Sequence, residues 1–234
     1  MAKMPMMDRD PTAPPLNPLP PVVWLLALPV MAVEIVLSLG ANSVIGGADA
    51  IGWRVAAMER FAFLNAVFDW MVQNHRYPAD QMMRFVTYPF VHASFTHALF
   101  VAVFILALGK MVGELFRPWA VLAVFFGSAI MGALVYGVAL NDPVPLVGGY
   151  PAVYGLIGAF TFIQWVAARI TGSNQMQAFR LIGFLLATQL LFSVLFGSNT
   201  QWLADVVGFV TGVALSFVVS PGGWGRALAR IRGQ

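Results

Sequence analysis

The feature that most constrains this chain is the spacing of its charged residues. Six windows of at least 20 residues contain no Asp, Glu, Lys or Arg. They are Pro11–Val33, Phe85–Gly109, Pro118–Asn141, Pro143–Ala168, Leu181–Ala204 and Val206–Gly225. A membrane-spanning helix needs roughly 20 consecutive, mainly apolar residues. The pattern therefore predicts an all-α, polytopic membrane protein with six spans.

The composition excludes the common alternatives. The chain is 59% hydrophobic and 10% charged, whereas a soluble domain is about 45–50% apolar and about 25% charged. This balance excludes a soluble globular protein, a disordered protein and a coiled coil. The net charge of +3 is spread between the spans, so we expect no nucleic-acid partner. The absence of cysteine excludes disulfides and thiolate chemistry.

The apolar runs divide the chain into one membrane domain and two tails. Residues 1–20 are rich in proline and are predicted to form a disordered cytoplasmic tail. Residues 21–222 are predicted to form one six-span membrane domain, and residues 223–234 a short basic cytoplasmic tail. The predicted spans are roughly Pro21–Leu39, Pro89–Val112, Trp119–Leu140, Tyr150–Ile170, Phe179–Phe196 and Trp202–Val219.

The positions of Lys and Arg predict the orientation. Both tails and the second and fourth loops carry basic residues, whereas the third and fifth loops carry none. Basic residues concentrate on the cytoplasmic side of short loops, so both termini are predicted to be cytoplasmic. Arg54, Arg60, Arg76 and Arg84 oppose this prediction, but they all lie in the long first loop, where the rule is weaker.

The first loop has an amphipathic pattern of its own. Phe61, Leu64, Phe68 and Met71 recur at helical spacing. This spacing predicts an amphipathic helix that lies in the outer membrane interface. A small cap outside the membrane fits the pattern equally well.

Ionisable groups inside spans are candidates for function, because burying them in a bilayer is costly. Glu34 is expected to be an interfacial carboxylate that reaches water. His92 and His97 open span two and are expected to pack as polar groups; no third ligand is evident, so we predict no metal site. Asp205 lies about one turn into span six and requires a partner.

Small residues in spans four and six are predicted to mediate helix packing. Gly155 and Gly158 lie on span four, and Gly208 and Gly212 form a GxxxG pair on span six. Small residues let helix backbones approach closely in a membrane, and packing alone explains these four glycines.

Three segments resemble those of a known family in order and spacing. They are RFVTYPFVHASFTHALF at Arg84–Phe100, VGGYPAVYGLIGA at Val147–Ala159 and ADVVGFVTG at Ala204–Gly212. They are similar to the signatures on spans two, four and six of the rhomboid intramembrane proteases. The resemblance implies a six-helix bundle in which span four supplies a serine nucleophile within GxSG and span six supplies a histidine base. It also implies that a His and an Asn in an HxxxN pattern on span two help to form the oxyanion hole.

The positions that the resemblance makes catalytic carry other residues here. Tyr150 holds the serine position and Pro151 the second glycine of GxSG, while Asp205 holds the histidine position. His97 of the HxxxN pattern is kept, but Val101 holds the Asn position. Serine attack requires a base that accepts its proton, and a carboxylate is a weak base for an alcohol. We therefore expect no catalytic residues and a degenerate oxyanion region.

Two hypotheses concern how this centre is rearranged. The first is that Tyr150 donates a hydrogen bond to Asp205, since both replacements fall on the two dyad positions. The second is a displaced nucleophile, for which Ser94, Ser128 and Ser193 are candidates with His92 or His97 as the base. Ser94 is more simply an N-terminal cap of span two.

The leading functional hypothesis is a rhomboid-like pseudoprotease that binds transmembrane segments of client proteins within the lipid bilayer. It needs no cofactor, and its expected location is a bacterial inner (plasma) membrane. The alternatives are an active intramembrane serine endopeptidase with rearranged residues and a small membrane transporter. The sequence leaves the client and the oligomeric state open.

Overall fold

The computed structural model describes residues 18–140, 142–196 and 200–222, without the side chains of residues 189–196. Both predicted tails therefore fall largely or wholly outside the described residues. Within the described part, the secondary structure is helical apart from turns and one isolated β-bridge. The all-α class predicted from the charge-free windows is confirmed.

The helices follow the apolar windows closely. In chain order they are α1 (Pro21–Ala41), α2 (Trp53–Phe61), α3 (Asn65–Asn74), α4 (Ala79–Met82), α5 (Arg84–Thr87), α6 (Phe95–Gly113), α7 (Pro118–Ala139), α8 (Tyr150–Thr171), α9 (Arg180–Phe196) and α10 (Trp202–Val219). In the described residues, α1, α6, α7, α8 and α10 are long and apolar enough to cross a membrane. The fifth predicted span coincides with α9, which has 17 residues and is shorter than these five. Six crossings therefore remain a prediction.

Local sequence explains where the long helices begin and end. Proline stands in the first turn of α1, α7 and α8, where its missing N–H costs nothing. Gly172 ends α8 in the left-handed region, as is common after a helix. Ser94 caps α6 by accepting the N–H of His97 at 3.3 Å, which confirms the predicted cap. The second span therefore begins at Phe95 rather than at Pro89.

The first loop is folded differently from the prediction. One amphipathic helix through Phe61 and Met71 is wrong, because α2 ends at Phe61 and α3 begins at Asn65. Between these helices, Phe63 is in an antiparallel bridge with Leu146, with N···O distances of 3.1 and 2.9 Å. Phe63 is buried and packs edge-on against Phe85 at 5.0 Å. The loop thus docks onto the connection between α7 and α8.

Helices α8 and α10 touch through their backbones. A Cβ added at Gly208 would overlap the carbonyl of Pro151, and one at Gly212 would overlap the carbonyl of Gly155. A Cβ at Gly158 would likewise overlap the carbonyl of Phe209. Close approach of this kind is how small residues allow helices to associate in lipid. It brings the first turns of α8 and α10 together.

Candidate functional site

The candidate site lies where the chain enters α8 beside the start of α6. Gly148 has a φ of +89°, which side chains rarely tolerate. Its N–H donates to the carbonyl of Tyr88 at 3.1 Å, and an added Cβ would overlap the imidazole of His97. Glycine is therefore required at this position both by its backbone conformation and by its contact with α6.

Three aromatic rings are in contact one after another at this point. The ring of Tyr150, the first residue of α8, lies on the imidazole of His97 with centroids 4.8 Å apart and planes at 21°. The His97 ring in turn meets His92 edge-on at 5.0 Å and 90°. The position at which the family's serine is expected is thus filled by a ring that packs against α6.

His92 is held as a neutral imidazole. It is buried, and its Nε2 accepts the N–H of Gly149 at 3.3 Å. Because Nε2 is an acceptor, the ring proton of the neutral form is on Nδ1. The pKa of His92 is lowered to about 3, mainly because the ring is buried and secondly because a charged His97 would repel its positive form. In the described residues no group of three potential metal ligands is assembled around these histidines or elsewhere.

Asp205 lies in the first turn of α10 and is 4% exposed. The expected hydrogen bond from Tyr150 is absent from the described part of the chain, so that hypothesis is wrong. The physical reason is that the Tyr150 ring faces His97 on α6 instead.

The two other replaced positions are occupied by apolar groups. Val101 is fully buried, and its Cγ1 would lie 2.7 Å from a Cβ added at Gly149. Pro151 stands in the first turn of α8 and packs toward α7 and α10 at Gly132 and Gly208. The Val101 side chain has no hydrogen-bond donor and Pro151 has no backbone N–H, so the site lacks two donors of the kind that an oxyanion hole uses.

Two of the three serines proposed as displaced nucleophiles have described side chains, and neither is arranged for attack. Ser94 is exposed and accepts the backbone N–H of His97 as a helix cap. Ser128 is fully buried where α7 packs against Gly155 of α8. The side chain of Ser193 lies outside the described residues. Across the described side chains, no serine hydroxyl is hydrogen-bonded to a histidine ring.

Sequence reasoning missed the ion pair beside the site. Glu34 is 1% exposed, so the expectation that it reaches water is wrong. Its two carboxylate oxygens accept from the guanidinium of Arg54 at 2.6 and 2.9 Å, and Arg54 also donates to the carbonyl of His92 at 2.8 Å. A carboxylate within an apolar helix signals a buried partner, but the first loop offered four arginines and no pattern that distinguished Arg54.

A second arginine of the first loop is also engaged internally. Arg84 donates to the carbonyls of Glu59 and Ala62, each at 2.8 Å, and to the Gln81 side chain at 2.7 Å. Its burial lowers the pKa of the guanidinium. Arg54 and Arg84, two of the four residues that oppose the predicted orientation, thus hold the loop together.

Comparison with known proteins agrees with this architecture. The family model of the Rhomboid domain matches residues 79–222, which is more than half of the chain and includes all three motif segments. No match was found among curated proteins. Together with five helices in the described residues that are long and apolar enough to span a bilayer, the match identifies the chain as an integral, multi-pass membrane protein of the rhomboid family.

Proposed function

We propose that the protein is a non-catalytic member of the rhomboid family that binds transmembrane segments of client proteins. The stacking of Tyr150 on His97 carries the proposal. It fills the expected nucleophile position with a side chain that packs against the scaffold instead of facing a base.

The chemistry at the remaining positions supports the loss of catalysis. Asp205 replaces the histidine that would accept a proton, and a carboxylate is poorly matched to an alcohol unless its pKa is strongly raised. Pro151 and Val101 provide no donor for a developing oxyanion. Loss of a single oxyanion donor typically costs about 100-fold to 1,000-fold in rate, and here the dyad is replaced as well.

The polar groups that remain favour a particular class of client. The Nε2 atom of His97 is buried and makes no hydrogen bond to the residues that the structure describes, and Asp205 is buried nearby on α10. Polar groups at membrane depth favour helices that bring polar groups of their own. We therefore expect the preferred client to be a single transmembrane helix with hydroxyl or amide side chains near its outer end.

A peptide-binding measurement tests this function directly. The natural chain contains no cysteine, so a donor dye can be attached to a single cysteine at exposed Val44 in liposomes. Acceptor-labelled peptides would be a Leu/Ala transmembrane helix and the same helix with two serines and one asparagine in its outer turns. We expect the polar peptide to give energy transfer that saturates and that unlabelled polar peptide displaces.

Two matched variants locate the binding face. Phe100 is 52% exposed and lies three residues beyond His97 on α6, whereas Leu28 is 57% exposed on α1. Phe100→Trp should weaken binding of the polar peptide, and Leu28→Trp should not. Equal energy transfer from both peptides, unaffected by competitor, would contradict client binding.

We infer the orientation from the loop charges. With Arg54 and Arg84 bound internally, the remaining basic residues of the tails and short loops favour cytoplasmic termini in a bacterial inner membrane. Single cysteines at Val44 and at Glu114 test this in intact cells. A thiol reagent that cannot cross the membrane should label position 44 and leave position 114 unlabelled; the reverse pattern would overturn the assignment.

A further inference from the structure

Arg54 connects three separate parts of the chain with one guanidinium. Its Nη2 donates to Oε1 of Glu34 at 2.6 Å and to the hydroxyl of Ser38 at 3.2 Å, both on α1. Its Nη1 donates to Oε2 of Glu34 at 2.9 Å and to the carbonyl of His92 at 2.8 Å. Arg54 itself is in the first turn of α2. The first loop is thereby tied to α1 and to the segment that enters α6.

The Glu34 carboxylate holds this guanidinium in place. It is 1% exposed and also accepts the Ser38 hydroxyl at 2.7 Å. An arginine fork that binds a carboxylate through two parallel bonds has little freedom to rotate. The second hydrogen atom of Nη1 is therefore directed at the His92 carbonyl by the geometry of the ion pair.

The contacts continue from the His92 backbone into the candidate site. The His92 ring accepts the N–H of Gly149 and lies edge-on against His97, and His97 carries the Tyr150 ring. Each step is a direct contact between neighbouring groups. A shift of the His92 backbone would consequently alter both the bond to Gly149 and the stack beneath Tyr150.

We propose that Arg54, oriented by Glu34, is the positioning residue of the candidate site. It fixes the His92 backbone and through it the single imidazole tautomer and the ring stack that a client meets. The consequence for clients rests on the function proposed above, but the effect on His92 does not. In the proposed arrangement Arg54 does not contact the client, and it acts only through His92.

Lysine at position 54 provides a discriminating substitution. It preserves the positive charge and the attraction to Glu34, but a single ammonium group cannot reproduce the planar fork that binds both carboxylate oxygens and the His92 carbonyl. Ser38→Ala is the matched control, because it removes two hydrogen bonds from the same ion pair, one to Glu34 and one from Arg54, and leaves the Arg54 bond to His92. The comparison separates positioning of His92 from general support of the ion pair.

The experiment is ¹⁵N NMR of the histidine side chains in nanodiscs. The chain has three histidines, and His75, exposed at the end of α3, is an internal reference. In the natural protein and in Ser38→Ala, His92 should show one neutral species with the proton on Nδ1. In Arg54→Lys, both neutral tautomers of His92 should be populated, with the His75 signals unchanged.

A second variant keeps the test possible if Arg54→Lys does not fold. If Arg54→Lys loses its helical circular dichroism, the double variant Glu34→Gln/Arg54→Gln is used instead. It removes both charges together and leaves at position 54 a side chain that is too short to bind residue 34 and the His92 carbonyl at the same time. It should also populate both tautomers of His92. Natural His92 signals in a folded variant at position 54, or equal changes in Ser38→Ala, would overturn the proposal.

The peptide assay supplies the functional readout. We expect Arg54→Lys to weaken binding of the polar peptide by at least fivefold and Ser38→Ala to change it less than twofold. Equal peptide binding by natural protein and Arg54→Lys would refute the link to clients. Absence of peptide binding by the natural protein would refute the proposed function, while the NMR result would still decide whether Arg54 positions His92.

Discussion

Tyr150 and His97 form a parallel ring stack between α8 and α6, with centroids 4.8 Å apart. Two neighbouring features make the stack possible. Gly148 leaves no side chain to collide with the imidazole, and Ser94 caps the turn of α6 that carries His97. The replacement of serine by tyrosine thus converts a position expected to react into one that packs.

The stack predicts how substitutions at position 150 behave. Among the described residues none forms a hydrogen bond with the Tyr150 hydroxyl, so Tyr150→Phe should change the free energy of unfolding by less than about 0.5 kcal/mol. Tyr150→Ala removes the ring from a half-buried site and should cost about 2 kcal/mol, less than a fully buried aromatic residue. Unfolding in mixed detergent micelles measures both. A larger loss in Tyr150→Phe than in Tyr150→Ala would show that the hydroxyl, rather than the ring, stabilises the site.

The contact between α8 and α10 predicts that Gly212 tolerates no side chain. A Cβ there would overlap backbone atoms of Gly155, which cannot move without displacing the helix. Gly212→Ala should therefore destabilise the fold by about 3 kcal/mol, at the upper end for overpacking. Gly183 on α9 has no atom within 4 Å of an added Cβ, so Gly183→Ala is the control. It should be neutral or slightly stabilising, since alanine favours helix.

The connection between α7 and α8 predicts a pH-dependent contribution to stability. One oxygen of Asp142 accepts the Thr200 hydroxyl, and the other accepts the N–H of Val144 at 2.8 Å. Both hydrogen bonds lower the pKa of Asp142, and the bond from Thr200 has the larger effect. The stabilisation is therefore complete above the unfolded-state pKa of about 3.9 and is lost as the pH falls through the lower folded-state value.

Thermal unfolding between pH 7 and pH 3 checks this contribution. Thr200→Val should lower the unfolding temperature at pH 7 and have a smaller effect at pH 3, because pH 3 is below the unfolded-state pKa of Asp142 and part of the stabilisation is then lost. Thr188→Val removes a hydroxyl whose one hydrogen bond among the described residues is to the Phe184 carbonyl of its own helix, and its effect should not vary with pH. An effect of Thr200→Val that grows as the pH falls would contradict the assignment.

Much of the architecture could be predicted from the sequence, because a spanning helix has a strong one-dimensional signal. Charge-free windows and prolines located the ends of the long helices within about two residues, except that α6 begins at Phe95 and not at Pro89. The first loop was less predictable, because the same apolar spacing fits one helix or two. The bridge from Phe63 to Leu146 that divides it is a contact between distant segments, which helical periodicity does not encode.

The candidate site shows the same division between local and distant signals. The motif segments indicated the positions held by Tyr150, Asp205 and Val101, whose residue types are visible in the chain. The direction in which Tyr150 packs was not visible, since a choice between His97 on α6 and Asp205 on α10 depends on three-dimensional packing. The pairing of Glu34 with Arg54 was hidden for the same reason.

The most direct test of the account is a reconstituted cleavage assay on a single-span transmembrane substrate. It compares the natural chain with a variant that carries Tyr150→Ser, Pro151→Gly, Asp205→His and Val101→Asn. We expect no cleavage by the natural chain and measurable cleavage by the variant, sensitive to a serine-directed inhibitor. Cleavage by the natural chain at a rate equal to or above that of the variant would contradict the claim that this rhomboid-family protein is non-catalytic.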